Sequence, residues 1–176
     1  MIWRNLLCFV GLAFVGWLAD SGMTCPSSFA QAPPRSVVDY YLALPDKYAG
    51  EIDRAEREEL ISDDRARVIA KDIPNGYLAV SGDASSPGLT VALFKKADGS
   101  YLVGVTAYDE TSEDFYCLSY HDGNWQDVTA VTIPEYSKRL RYELPRYGTS
   151  IKVKSQAGKV LYELTWHRGK FTKKVL

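Results

Sequence analysis

Tyr116-Cys117-Leu118-Ser119-Tyr120-His121-Asp122-Gly123-Asn124-Trp125 is the stretch on which the fold turns. Tyr116, Leu118 and Tyr120 recur at period two, the spacing of one face of a strand. Asp-Gly is a preferred central pair of a two-residue hairpin turn, because both positions need positive φ. A second stretch, Tyr162-Glu163-Leu164-Thr165-Trp166-His167-Arg168-Gly169-Lys170-Phe171, matches it at a constant offset of 46 residues. The shared pattern is Tyr-x-Leu-(Ser/Thr)-aromatic-His-x-Gly-x-aromatic, and each copy follows another glycine turn, at Asp98-Gly99 and Ala157-Gly158. Two related antiparallel meanders are expected, packed as a sandwich or as adjacent blade-like sheets, each covering the other's apolar face. Leu118 and Leu164 should then be buried at matching positions, with Trp125 and Phe171 in corresponding places.

Outward from the echo, short runs rich in Val, Ile, Tyr, Trp and Thr continue, divided by further turns such as Asn75-Gly76. They predict strands over Ala66–Lys71, Tyr77–Ser81, Thr90–Lys95, Tyr101–Tyr108, Phe115–Tyr120, Trp125–Val128, Arg141–Leu144, Ser150–Lys154, Val160–Trp166 and Phe171–Lys174. Ahead of them lie two helical segments. Ser36 caps the first, Asp39 completes a capping box, and Pro45 ends it. The second, over Glu51–Ile61, is charged, with only Ile52, Ala55 and Leu60 on its apolar side, and reads as a surface helix. The fold class is mainly β (α+β): an antiparallel meander of about nine or ten strands behind a short helical N-terminal region. The predicted domain runs over 36–176, with a helical cap over 36–62 and sheets over 65–176.

The first thirty residues carry a different signal. A start bearing Arg4 precedes thirteen uncharged residues, Leu6 to Leu18, and a small, polar stretch ends at Ser28-Phe29-Ala30. This is the pattern of a secretory signal peptide with a small-x-small exit, and the apolar run is short for a membrane span. Cleavage after Ala30 is expected, leaving a tether at 31–35, a periplasmic or secreted chain and no transmembrane segment. Of the three cysteines, only Cys117 is then certain to remain, so the domain is held by packing and not by a disulfide framework. An earlier cut would retain Cys25 and permit a Cys25–Cys117 bridge.

Twenty-one Lys and Arg against 22 Asp and Glu give a net charge of −1, which excludes a dedicated nucleic-acid binder with a basic excess. The distribution is uneven. Acids crowd Asp46–Asp64 and Asp109–Asp127, whereas Lys138–Lys174 holds eleven bases and two acids, Glu143 and Glu163. Neither His121 nor His167 belongs to a set of three or four ligands, so no metal or other cofactor is expected. Cys117 and His121 are four apart on a strand, about 13 Å, too far for a thiol and its base. No Gly-x-Ser-x-Gly, His-Glu-x-x-His or phosphate-binding loop is present. The distinctive loop is Leu144-Pro145-Arg146-Tyr147-Gly148-Thr149. Arg and Tyr are favoured anchors at binding surfaces, and alternation around Ile151 and Val153 turns Lys152 and Lys154 outward together. The candidate binding residues are therefore Arg146, Tyr147, Lys152 and Lys154.

Four motifs, Tyr40-Tyr41-x-x-Leu44-Pro45, Asn75-Gly76-Tyr77, Lys95-x-x-Asp98-Gly99-x-Tyr101 and Leu144-Pro-Arg-Tyr-Gly-Thr149, give the chain a resemblance to uncharacterised exported bacterial β-rich proteins. That resemblance implies an envelope origin and carries no activity. The functional expectation is an exported, non-enzymatic binding domain for an anionic envelope polymer or a protein partner. The alternative is a small secreted hydrolase using carboxylates of the 109–127 region.

Overall fold

The computed structural model describes residues 34–62, 67–82, 86–109 and 112–175. The predicted signal segment, its expected cleavage point and Cys25 lie outside them. Ten strands form, at β1 Val68–Asp72, β2 Tyr77–Val80, β3 Gly88–Lys95, β4 Tyr101–Tyr108, β5 Glu113–His121, β6 Asn124–Asp127, β7 Arg141–Glu143, β8 Ser150–Lys154, β9 Val160–His167 and β10 Lys170–Val175. The helices are α1 Val37–Ala43, α2 Arg54–Ser62 and a single turn, α3 Thr129–Thr132, which the sequence reading did not anticipate. Every strand pair is antiparallel between chain neighbours. One sheet has six strands in the order β1-β2-β3-β4-β5-β6, and the other has four in the order β10-β9-β8-β7. The chain is thus mainly β, and the two sheets face each other in a sandwich-like arrangement, which decides between the two packings left open.

The inner faces share one core. Ala92, Phe94, Leu102, Phe115 and Cys117 from the larger sheet meet Tyr142, Leu144, Ile151, Val153, Tyr162, Leu164, Trp166 and Phe171 from the smaller. Gly104 on β4 faces Leu144. A Cβ there would lie 2.7 Å from Leu144 Cδ2, inside contact distance, so any side chain at this position would make that leucine shift. Phe94, Trp166 and Phe171 pack together with centroids 4.9–6.0 Å apart, and Trp166 Nε1 donates to the Lys95 carbonyl at 2.8 Å.

The other face of the larger sheet is covered by the helical layer. Val37, Tyr40, Tyr41, Leu44 and Tyr48 pack on Leu78, Val80, Leu89, Val91, Val103, Val105 and Leu118. Ser36 and Asp39 form the predicted capping box: Asp39 N–H donates to Ser36 Oγ, and Asp39 Oδ2 accepts from Ser36 N–H. α2 starts later than expected, because Glu51 takes a left-handed turn at φ 61° and Asp53 accepts from Glu56 N–H. Its buried residue is not the apolar stripe but Arg57, 1% exposed. The Arg57 guanidinium donates to the carbonyls of Leu42, Leu44 and Ile52 and to Asp46 Oδ1. A cation there meets the carbonyls that a helix C-terminus leaves open, which is why a charged residue is held inside.

The echoed hairpins match locally. Asp122 and Arg168 take φ of 47° and 48°, their glycines 82° and 85°, and each turn joins directly paired strands, as a two-residue turn with positive φ at both positions requires. Leu118 and Leu164 are both fully buried. Their surroundings differ, because Leu118 faces the helical layer and Leu164 faces the opposite sheet. Trp125 is half-buried beside Tyr40 and Tyr120, whereas Phe171 lies inside the sandwich. The preceding turns are one strand out of step: Asp98-Gly99 joins β3 to β4, and Ala157-Gly158 joins β8 to β9, the echo strand itself. These two are three-residue loops with the glycine at positive φ, not two-residue turns. Asn75-Gly76 likewise belongs to a four-residue loop, since Asp72 pairs with Tyr77.

Candidate functional site

A cleft of about 320 Å³ opens where β7 crosses the larger sheet. One wall is Tyr77 on β2, Thr90 on β3, Thr106 and Tyr108 on β4 and Glu113 on β5; the other is β7 with Leu144, Lys154 and Gly158. The short strand β7 is the edge of its sheet, and an edge leaves backbone groups unpaired. Side chains of the larger sheet supply the missing partners. Tyr142 N–H donates to Glu113 Oε1 at 3.1 Å, and the Tyr142 carbonyl accepts from Thr106 Oγ1 at 3.3 Å. Glu113 Oε2 also accepts from Arg141 Nε at 2.7 Å, so one carboxylate clamps two consecutive residues of the edge. Below it, the Phe115 and Tyr142 rings stack at 4.4 Å.

The cleft is rigid for identifiable reasons. A Cβ on Gly88 would lie 2.4 Å from the Tyr108 ring, so the absent side chain lets that ring rest on β3. The Tyr77 hydroxyl hydrogen-bonds Thr90. Desolvation raises the pKa of both Tyr77 and Tyr108, which keeps the two phenols neutral. Glu143 pairs with Lys154, whose hydrogen bond holds the Glu143 carboxyl below its ordinary value.

Lys152 and Lys154 do share the outer face, as alternation predicts, but they do not form an open cationic patch. Glu143 lies opposite Lys152 on β7 and contacts both lysines, reaching Lys152 Nζ at 3.6 Å. Cross-strand register extends this into a row, Glu143–Lys152–Glu163–Lys174, with charges alternating over β7, β8, β9 and β10. Lys152, Lys154 and Lys174, three of the eleven bases over Lys138–Lys174, are thus interleaved with the two acids of that segment. Arg146 Nε pairs with Asp72 Oδ2 at 3.0 Å, which lowers the Asp72 pKa, and the guanidinium lies 5.2 Å from the Tyr147 ring centroid. Tyr147 is 68% exposed. Asp72 is the cross-strand partner of Tyr77, so this pair stands close to the cleft wall.

Four described carboxylates of the 109–127 region are dispersed among local contacts, and Glu110 lies outside the described residues. Asp109 accepts from Ser112, Glu113 holds β7, Asp122 touches His121 Nε2 at 3.0 Å, and Asp127 accepts from Thr129. Cys117 is fully buried, and burial pushes its thiol up, the opposite of an activated nucleophile. His121 and His167 are exposed on turns of different sheets. Among the described residues no three His, Cys, Asp or Glu side chains converge as a metal site, and no helix is long and apolar enough to cross a membrane. A larger depression of about 470 Å³, lined in part by Lys47, Glu51, Asp109 and Asp114, borders residues outside the description. The cleft along β7 is enclosed wholly by described residues.

Sequence reasoning named Lys154 and the nearby Arg146, and included Glu113 only among the carboxylates of the alternative hydrolase reading; it missed Tyr77, Thr90, Thr106, Tyr108 and Arg141. The available signal was Gly104 inside β4, since an interior strand glycine marks a close approach. Thr106, on the face that also carries Leu102 and Gly104, was a second.

No family model matches the sequence, and no curated protein matches it either. The structure is similar to a solved domain of an uncharacterized protein from Porphyromonas gingivalis W83, with a TM-score of 0.50 and 11% identity over 80% of this chain and 98% of that one. At that identity the likeness speaks for the fold alone, and it accords with membership of an uncharacterised β-rich family.

Proposed function

We propose that this chain is an exported, non-enzymatic binding domain that seats its ligand in the cleft along β7. The observation that carries this reading is the build of the cleft. Its ionised groups are held in pairs, Arg141 with Glu113 and Lys154 with Glu143, and its edge backbone is satisfied, leaving fixed aromatic and hydroxyl surfaces. Pre-organised, mostly apolar clefts with a few placed polar groups are the usual form of a binding site. Arg146 and Tyr147 serve as rim contacts, while Lys152 and Lys154 act with Glu143 as part of the wall and outer face. Export rests on the signal pattern of residues 1–30.

Two measurements test the reading. N-terminal sequencing of chain recovered outside the cytoplasm should find a start near Gln31, and a Met1 start in the membrane fraction would overturn export with cleavage. Purified chain lacking residues 1–30 should co-sediment with bacterial envelope material, and Thr90→Phe, which fills the cleft with a strand-compatible side chain, should abolish it. Undiminished sedimentation of Thr90→Phe sinks the cleft as the site. Release of soluble fragments from the envelope would show a hydrolase instead.

A further inference from the structure

We infer that the ligand class of this cleft is an uncharged, polyhydroxylated glycan; this rests on the cleft being the binding site. Three features of the walls point the same way. The first is charge. Arg141 and Lys154 each already hold a carboxylate, Glu113 and Glu143, so an entering anion would meet two acids beside two compensated bases. An entering cation faces the converse. Neither sign gains, and a neutral ligand loses nothing.

The second is hydrogen-bonding type. Tyr77 and Thr90 present a hydrogen-bonded pair of hydroxyls with one donor left over, Thr106 Oγ1 gives its proton to the Tyr142 carbonyl and still accepts, and Arg141 commits its Nε to Glu113 while a guanidinium carries five N–H donors. Sugar hydroxyls need partners that can both give and take a hydrogen bond. Tyr77 and Tyr108 add aromatic surface for the apolar C–H face of a pyranose, and their phenols are neutral partners. Tyr108 is fixed by its seat on Gly88, so little ordering is required when a ligand arrives.

The third is what the cleft refuses. An extended peptide would most readily add to the free edge of β7. The Tyr142 N–H and carbonyl that it would need are taken by Glu113 and Thr106. A peptide strand would have to displace a carboxylate that also holds Arg141. A glycan uses side chains and leaves that edge intact.

The experiment titrates the chain lacking residues 1–30 with soluble β-linked oligosaccharides of glucose and of N-acetylglucosamine. Polyphosphate and a strand-forming Val-Thr peptide are run beside them, with Tm recorded for every variant. At least one neutral oligosaccharide should bind with an affinity insensitive to salt. Tyr77→Phe, which removes only a hydroxyl, should weaken it about threefold to tenfold, and Thr90→Phe should abolish it. Salt-sensitive binding of polyphosphate alone, or binding of the peptide alone, overturns the glycan class. So does oligosaccharide binding that ignores both variants. If no oligosaccharide binds while envelope sedimentation still depends on an unfilled cleft, the glycan class fails and the binding-domain reading stands. If sedimentation also ignores Thr90→Phe, both fail.

Discussion

The two sheets of this molecule are built from similar hairpins but solve different burial problems. The six-stranded sheet is covered on both faces, by helices on one side and by the other sheet on the second. Among the described residues, the four-stranded sheet is covered on one face only. The strands record the difference. β4 has five consecutive buried residues, Leu102 to Thr106, whereas β8 alternates, with Ile151 and Val153 buried and Lys152 exposed. Continuous apolar runs mark a strand covered on both sides, and clean alternation marks one with a wet face. On that wet face the smaller sheet carries its Glu143–Lys152–Glu163–Lys174 row, where the larger sheet carries Tyr101, Tyr116 and Tyr120 against the helical layer.

The sharpest way to break this comparison is at the echoed leucines. Leu118→Ala and Leu164→Ala should each cost about 2–5 kcal/mol in chemical denaturation, the range for a buried leucine. Only Leu118→Ala should also raise hydrogen exchange in residues 37–62, because only that side chain supports the helices. Equal exchange in the two variants would mean the layers are not distinct. Next comes the buried cation. Arg57→Met strips donors from the carbonyls of Leu44 and Ile52, and an unpaired buried group costs about 1–3 kcal/mol. A loss of about 2–4 kcal/mol in unfolding free energy is expected, again with exchange confined to the helical layer.

Alkaline titration compares the two cores. Burial pushes Tyr41 in the helical layer and Tyr142 between the sheets up to about 12, from an ordinary value of 10.0. Both groups bind protons more tightly in the folded chain, so stability is full below the unfolded value and falls as pH rises from about 10 towards about 12. Tyr41→Phe should remove part of that slope at little cost, since the Tyr41 hydroxyl finds no hydrogen-bond partner among the described residues. A fluorescence-monitored unfolding series against pH checks this, and an unchanged slope in Tyr41→Phe would place the titration elsewhere.

The smallest effects belong to the wet face. Lys152→Ala should change stability by no more than about 0.5 kcal/mol, as exposed substitutions do. Glu143 and Asp72 have lowered carboxyl values through Lys154 and Arg146. Their contribution is therefore complete above the ordinary carboxylate range and is lost as pH falls through the lowered folded value. Glu143→Gln should flatten the acid limb of a thermal-melt series. A melting temperature strongly dependent on Lys152 would mean that the outer row is a structural element and not a solvated surface.

What the sequence determined by itself is what depends on neighbours in the chain. Each of the ten strand segments was legible from period-two runs and glycine turns. The capping box at Ser36 and Asp39 was legible from spacing, and the outward lysines of β8 from alternation. These follow from φ/ψ limits and side-chain direction, which act within a few residues. The tertiary structure alone decided which layer each face would meet. Leu118 and Leu164 sit in near-identical local sequence yet face different partners, and Arg57 is read as a surface residue until the carbonyls of Leu42 and Leu44 are brought to it. The cleft belongs to the same class. Arg146 meets Asp72, Arg141 meets Glu113 and Thr106 meets Tyr142 across 74, 28 and 36 residues of chain. Contacts at such separations are set by how whole sheets pack, and no window of sequence contains both partners.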